Sequence, residues 1–150
     1  MALEELYREV ILDHYRSPRN RRRLPEPDAS ADGSNPLCGD EVHIDVVIDG
    51  DMIVEIGVTG HGCSISQASG SMMGDAVQTK SIEQVQRITD LFKGMMGVDG
   101  ATDPGLDPER PGAVLGDLEA LQGVRKFPVR IKCANLPWTT LEEALKEVPG

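Results

Sequence analysis

Apolar and polar residues alternate on both sides of an Asp49-Gly50 pair, which reads as an antiparallel hairpin. On the outgoing strand Val42, Ile44, Val46 and Ile48 form one row, interleaved with His43, Asp45 and Val47. Met52, Val54, Ile56 and Val58 continue the alternation on the return strand, which ends at Gly60-His61-Gly62 just before Cys63. Cys38 lies immediately before the outgoing strand, so antiparallel pairing delivers both thiols to one end of the sheet.

Helical periodicity surrounds this hairpin. Leu3, Leu6, Tyr7, Val10 and Ile11 predict an amphipathic N-terminal helix that Ser17-Pro18 stops. Residues 16–23 then hold five arginines, Arg16, Arg19, Arg21, Arg22 and Arg23, and a Pro-rich connection runs on to Pro36. Such a run is either a solvated turn or a docking patch for an acidic partner. Beyond Cys63, Ser64 is placed to cap a helix with Ile65, Ala68, Met72, Met73, Ala76 and Val77 on its apolar positions. Cys63 then stands at a helix N-terminus, where backbone N–H groups favour a thiolate. Ser81 and Gln84 make a capping-box pattern for the next helix, which fades near Gly94.

Residues 97–112 contain four Gly and three Pro, so they read as an exposed loop. A short helix through Leu115, Leu118 and Leu121, closed by Gly123, follows. Phe127 to Lys132 is expected to be a brief extended approach to Cys133, and Leu141, Ala144, Leu145 and Val148 mark a final helix. The expected fold is therefore α+β: a small antiparallel sheet with helices packed on one face, each site ligand coming from a loop. Met72, Met73, Met95 and Met96 are most simply core residues.

The 150 residues suit one domain spanning 1–150. A formal charge of −10 and only five aromatic residues argue against nucleic acid as a partner. No apolar run is long enough to span a membrane and no signal-peptide pattern opens the chain, so a cytoplasmic protein without a membrane partner is expected. Three cysteines cannot form a closed disulfide set, which turns attention to metal or sulfur chemistry.

Cys38-Gly39-Asp40 sets a thiol and a carboxylate two residues apart, with Gly39 letting the backbone turn so that both face one ion. With Cys63 and Cys133 they make three sulfurs and one oxygen, a donor set that can close a tetrahedron around zinc. The ligands are scattered rather than paired, so spacing alone leaves inert buried thiols as an equal reading. Nearby, His61 reads as a supporting or surface histidine, while His14 and His43 have weaker claims. Arg130 and Lys132 read either as surface residues or as groups steadying an anionic site.

The segments Asn35-Pro36-Leu37-Cys38-Gly39-Asp40, Gly60-His61-Gly62-Cys63-Ser64-Ile65-Ser66 and Arg130-Ile131-Lys132-Cys133-Ala134 resemble the three cysteine motifs of the IscU and NifU N-terminal family. His14-Tyr15-Arg16-Ser17-Pro18-Arg19-Asn20 is similar to the end of that family's opening helix. The usual scaffold carries His before its third cysteine, where this chain has Lys132. This, with the extra residues of 97–124, resembles the SufU branch.

The resemblance implies an IscU-like (SufE/NifU-like) fold, with 97–124 as a branch insertion of loop plus short helix. It implies that Cys38, Asp40, Cys63 and Cys133 hold zinc, and that the protein accepts persulfide sulfur from a pyridoxal-phosphate, SufS-like cysteine desulfurase. It would then be a persulfide relay rather than a stand-alone catalyst, serving downstream cluster assembly proteins. In that role Cys38 is the attacking thiol, released from the ion as a desulfurase side chain enters, while the other three ligands hold the metal. Two alternatives share the residues: a transient [2Fe-2S] assembly scaffold, and a structural zinc module that only recruits partners.

Overall fold

Alternation built the sheet, but a neighbour it did not announce completes it. The computed structural model describes residues 3–148, with the side chain of Leu3 outside the described set. Its sheet has three antiparallel strands in the order β1 (Ala29–Asn35), β2 (Asp40–Asp49) and β3 (Met52–His61). Strand β1 corrects the expectation of an irregular connection as far as Pro36. Its sequence, Ala-Ser-Ala-Asp-Gly-Ser-Asn, has no β-branched or aromatic residue, so pairing with β2 rather than propensity makes it a strand. Gly33 is essential to its packing, because a Cβ there would lie 2.1 Å from Thr140 Oγ1 of the helix above.

The β2–β3 hairpin turns at Gly50 (φ +65) as expected. Its inward row is different, however. A register shift between Val47 and Ile48 pairs Ile48 with Ile53, so Ile53 and Ile56 enter the core while Met52 and Val54 are exposed. One extra residue in one strand breaks strict alternation, which sequence periodicity cannot foresee.

Helices α1 (Leu3–Arg16), α2 (Ser64–Val77), α3 (Ile82–Met95) and α4 (Pro128–Lys146) join a 3-10 helix, Gly116–Lys126. The Ser81–Gln84 capping box forms as expected. Cys63 rather than Ser64 occupies the N-cap position of α2, and its side chain makes no capping bond. The 3-10 helix runs on through Gly123 instead of closing there. Most consequential is α4: residues 127–132 are not extended. Pro128 sits in the first turn, where its missing N–H costs nothing, and the helix carries Cys133 within it. Not every ligand candidate therefore comes from a loop.

Helix α4 lies across β1 and β2, and α2 wedges between it and α1, burying Ile44, Val46, Met72, Met73, Trp138 and Leu141. Met95 and Met96 are buried as well. Trp138 stacks on Phe92 with ring centroids 4.8 Å apart and donates to Ser69 Oγ. The loop after α3 is tied down by backbone bonds: Thr102 N–H to Asp90, and Gly112, Val114 and Leu115 N–H groups to the buried Glu119 carboxylate. His14, also buried, bridges Ser71 of α2 and Asp117 of the 3-10 helix. No described helix is long and apolar enough to cross a membrane.

The arginine run straps the opposite sheet face. Arg19 binds Asp13, Arg21 donates to the Gly60 carbonyl and Gln67, and Arg23 lies 3.4 Å from Asp45. Gly57 makes room for it, since a Cβ there would sit 2.2 Å from the Arg22 carbonyl oxygen. Only Arg16 and Arg22 lack a hydrogen bond or ion pair from their side chains among the described residues. The run is thus mainly an anchored strap.

Asp45 fastens this strap, accepting from Leu24 N–H, Ser30 Oγ and His43, whose other ring nitrogen meets Asp32. Burial opposes its ionised form, yet the bonds from Ser30, Leu24 and His43 together outweigh it and hold its carboxyl below the usual range. Its contribution is therefore full above the unfolded value of about 3.9 and lost as pH falls through the lower folded value. Urea unfolding of Asp45→Asn should show a midpoint less sensitive to acid than wild type, with a loss of about 1–3 kcal/mol at neutral pH. Parallel pH profiles for the two proteins would contradict this assignment.

Candidate metal centre

The turn between β1 and β2 and the end of β3 meet at one sheet end, as the hairpin argument required. Residues 36–39 link Asn35 to its strand partner Asp40, placing Cys38 at the turn with its N–H on the Asn35 carbonyl, 3.2 Å away. Gly39, at φ +68, allows the reversal. Asp40 then reaches across to the arriving chain, where Oδ1 accepts the Cys63 N–H at 2.7 Å and Oδ2 lies 3.8 Å from Cys63 Sγ. Gly62 permits that approach, because a Cβ on it would lie 2.2 Å from Asp40 Oδ1.

Helix α4 supplies the remaining sulfur from above. Cys133 Sγ is 3.0 Å from Cys38 Sγ, and all three cysteines are free. One ligand atom each from Cys38, Asp40 and Cys133 lies within 4.8 Å of the others, a grouping suited to a metal ion. Cys63 borders this group through Asp40 rather than falling inside it. Cys133 and Asp40 are buried, whereas Cys38 and Cys63 are partly accessible.

Electrostatics test the donor set. Burial, followed by the hydrogen bonds with Cys38, Asp40 and Cys63, pushes the Cys133 thiol well above the ordinary thiol range. A divalent cation reverses that logic, because thiolates bind it as they lose their protons. The two sulfurs and one carboxylate gathered here, of Cys38, Cys133 and Asp40, therefore fit zinc, or iron, as a resident ion. Arg130, one helical turn before Cys133, faces the same charge. Attraction to Cys63 and a hydrogen bond with it, then attraction to Cys133 and Cys38, strengthen the hold of its guanidinium on its proton.

Two other candidates stay apart. His61 is exposed, with Nε2 3.5 Å from Glu41, and Lys132 is exposed without a hydrogen bond or ion pair among the described residues. Sequence reasoning missed Asn35, whose side-chain N–H donates to Cys133 Sγ at 3.7 Å. It also missed three exposed apolar side chains on the segments that bring Cys38 and Cys133: Leu37, Phe127 and Val129 are 71%, 61% and 56% exposed, the highest values among the described large apolar side chains. Leu37 adjoins Cys38, and the Val129 carbonyl lies 3.8 Å from Cys133 Sγ. Apolar residues read as exposed only once the helix replaces the expected extended segment.

Known proteins resemble this chain over most of its length. A family model described as the NifU-like N terminal domain matches residues 6–147. The zinc-dependent sulfurtransferase SufU of Bacillus subtilis (strain 168) is 43% identical over 148 residues, covering 99% of this chain and 95% of that protein. The iron–sulfur cluster assembly scaffold protein IscU of Streptococcus pyogenes serotype M1 is 42% identical over 96% of this chain and 85% of its own length. Among solved structures, a putative iron–sulfur cluster assembly scaffold protein for the SUF system from Fervidobacterium islandicum AW-1 superposes with a TM-score of 0.81 at 31% identity, covering 96% of this chain and 99% of that one.

Proposed function

The chain belongs to the NifU-like N-terminal domain family, and from that premise we propose that it is a zinc-dependent sulfur acceptor and carrier for iron–sulfur cluster assembly. A pyridoxal-phosphate cysteine desulfurase is the donor, and downstream cluster assembly proteins receive the sulfur. Cys38, Asp40, Cys63 and Cys133 hold the metal; Cys38 also carries the sulfur.

The observation that carries this reading is the setting of Cys38. Its thiol stands partly accessible on a turn, beside buried Cys133, with exposed Leu37 next to it in the chain and exposed Phe127 and Val129 at the start of the helix that carries Cys133. Exposed apolar side chains around a reactive group suit a protein surface better than a small solute. Cys63, by contrast, has its backbone fastened to Asp40, and it leads directly into α2.

When bound, zinc supplies the positive charge that keeps these thiols ionised near neutral pH. The Cys38 thiolate attacks the outer sulfur of the donor's persulfide. A bond forms between Cys38 Sγ and that sulfur, the donor's sulfur–sulfur bond breaks, and the donor cysteine departs as thiolate with the electron pair. No oxidant is consumed. Arg130 steadies negative charge through Cys63 without touching the transferred atom.

The similarity to IscU supports a second reading, in which a [2Fe-2S] cluster is built as cargo on the same residues. Metal and acid-labile sulfide content after anaerobic purification, followed by desulfurase turnover, separates the two. Stoichiometric zinc with strong stimulation of turnover is expected. Iron with labile sulfide and no stimulation would replace sulfur transfer by scaffolding, and zinc without stimulation would leave a structural zinc module.

A further inference from the structure

Sulfur carried on Cys38 faces a threat from within the site. Cys133 Sγ lies 3.0 Å from Cys38 Sγ, so a persulfide formed on Cys38 has a second sulfur nucleophile beside it. Attack by the Cys133 thiolate on Cys38 Sγ would form a Cys38–Cys133 disulfide and break the bond to the outer sulfur. That sulfur would leave with the electron pair and its own proton as hydrosulfide. The carried sulfur would be lost and two ligands consumed.

Resting on the sulfur-transfer reading above, we infer that Asn35 is a positioning residue that protects the Cys38 persulfide, by donating its side-chain N–H to Cys133 Sγ. The bond spans 3.7 Å, and Asn35 is only 7% exposed, so water competes little for it. A donor pointed at a thiolate stabilises its negative charge, and nucleophilicity falls with basicity.

The distribution of donors around the three sulfurs matches this role. Cys133 receives the Asn35 amide, whereas the Cys63 thiol is itself directed at Asp40 Oδ2 and Ser66 Oγ, 3.8 and 3.9 Å away. No N–H or O–H donor reaches the sulfur of Cys38 among the described residues; its sole hydrogen-bond contact is with the Cys133 thiol. Of the two sulfurs that stand 3.0 Å apart, only the one that must stay quiet receives an N–H donor. Asn35 also controls where that sulfur stands, because its carbonyl accepts the Cys38 N–H and its strand partner is Asp40. One residue thus places the carrier thiol and quiets its neighbour.

Asn35→Leu removes the donor at nearly constant volume. The zinc-loaded variant and wild type are charged with sulfur by a persulfide donor, then followed for hydrosulfide release and for the Cys38–Cys133 disulfide by mass spectrometry of unreduced peptides. Both should appear roughly tenfold faster in the variant, the expected weight of one lost hydrogen bond to a charged group. A second measurement needs no substitution: in wild type loaded with cadmium-113, the Asn35 side-chain amide protons should show scalar coupling to the metal across the N–H···S bond. Sulfur that stays on Cys38 equally long in Asn35→Leu, or a cadmium-loaded wild type without that coupling, overturns this inference alone. Failure of Cys38 to take up sulfur in wild type overturns the sulfur-transfer reading and this inference with it.

Discussion

Cys38→Ala should lose sulfur uptake by about three orders of magnitude or more, since Cys133 is buried and Cys63 has its N–H fastened to Asp40 and its thiol directed at Asp40 and Ser66. The fold should survive, because the side chain stands on a turn and contributes little to the core. Some zinc should remain, held by Asp40, Cys63 and Cys133, at reduced affinity. Three assays decide the matter together: trapping of protein-bound persulfide, stimulation of desulfurase turnover, and metal content. Undiminished uptake in the variant would move the carrier role to Cys63. Cys133→Ala, by contrast, removes the buried thiol on α4 and should lower metal content more than Cys38→Ala does.

The largest structural effect is expected at Gly62. Its φ is +153, a conformation side chains rarely adopt, and a Cβ would lie 2.2 Å from Asp40 Oδ1 and 2.8 Å from Asp40 Cα. Neither atom can yield cheaply, because Oδ1 already accepts the Cys63 N–H and Cα belongs to the start of β2. Gly62→Ala should therefore cost about 3–5 kcal/mol and empty the site of metal, as strain and the loss of a half-buried hydrogen bond coincide. Gly39→Ala is the matched comparison. Its φ is +68, but no atom lies within 4 Å of the added carbon, so only the conformational cost of about 1–2 kcal/mol should appear. Urea midpoints and zinc stoichiometry for both variants test the contrast; equal losses would mean that conformation rather than the approach to Asp40 makes Gly62 necessary.

Much of the site's layout was legible because short-range rules governed it. The turn at Gly50 and the antiparallel pairing of β2 with β3 bring Cys38 and Cys63 to one end, and both follow from local pattern. Buried methionines and the Ser81 capping box were equally local. The resemblance of three cysteine motifs, confirmed by a family match over residues 6–147, added the chemistry that spacing alone had left open.

Other features depended on partners far along the chain. Pro128, Val129 and Ile131 favour extended backbone in isolation, yet the segment is the first turn of α4, because a helix there buries Cys133, Ala134 and Trp138. Strand β1 has no strand propensity and forms on the edge that β2 offers, with Gly33 admitting Thr140. The arginine run read as either a solvated turn or a docking patch, and pattern alone did not show that Asp13, Gly60 and Asp45 engage it.

The sequence by itself determined the α+β class, the hairpin that gathers two thiols, and the ligand types that suit a metal, since each rests on residue chemistry or periodicity over a few neighbours. Only the tertiary structure decided that Cys133 arrives on a helix, that Asn35 bonds its sulfur, and that Gly62 must lack a side chain beside Asp40. Those are contacts between segments distant in the chain, and no local pattern encodes which atoms will meet when separate elements pack around one core.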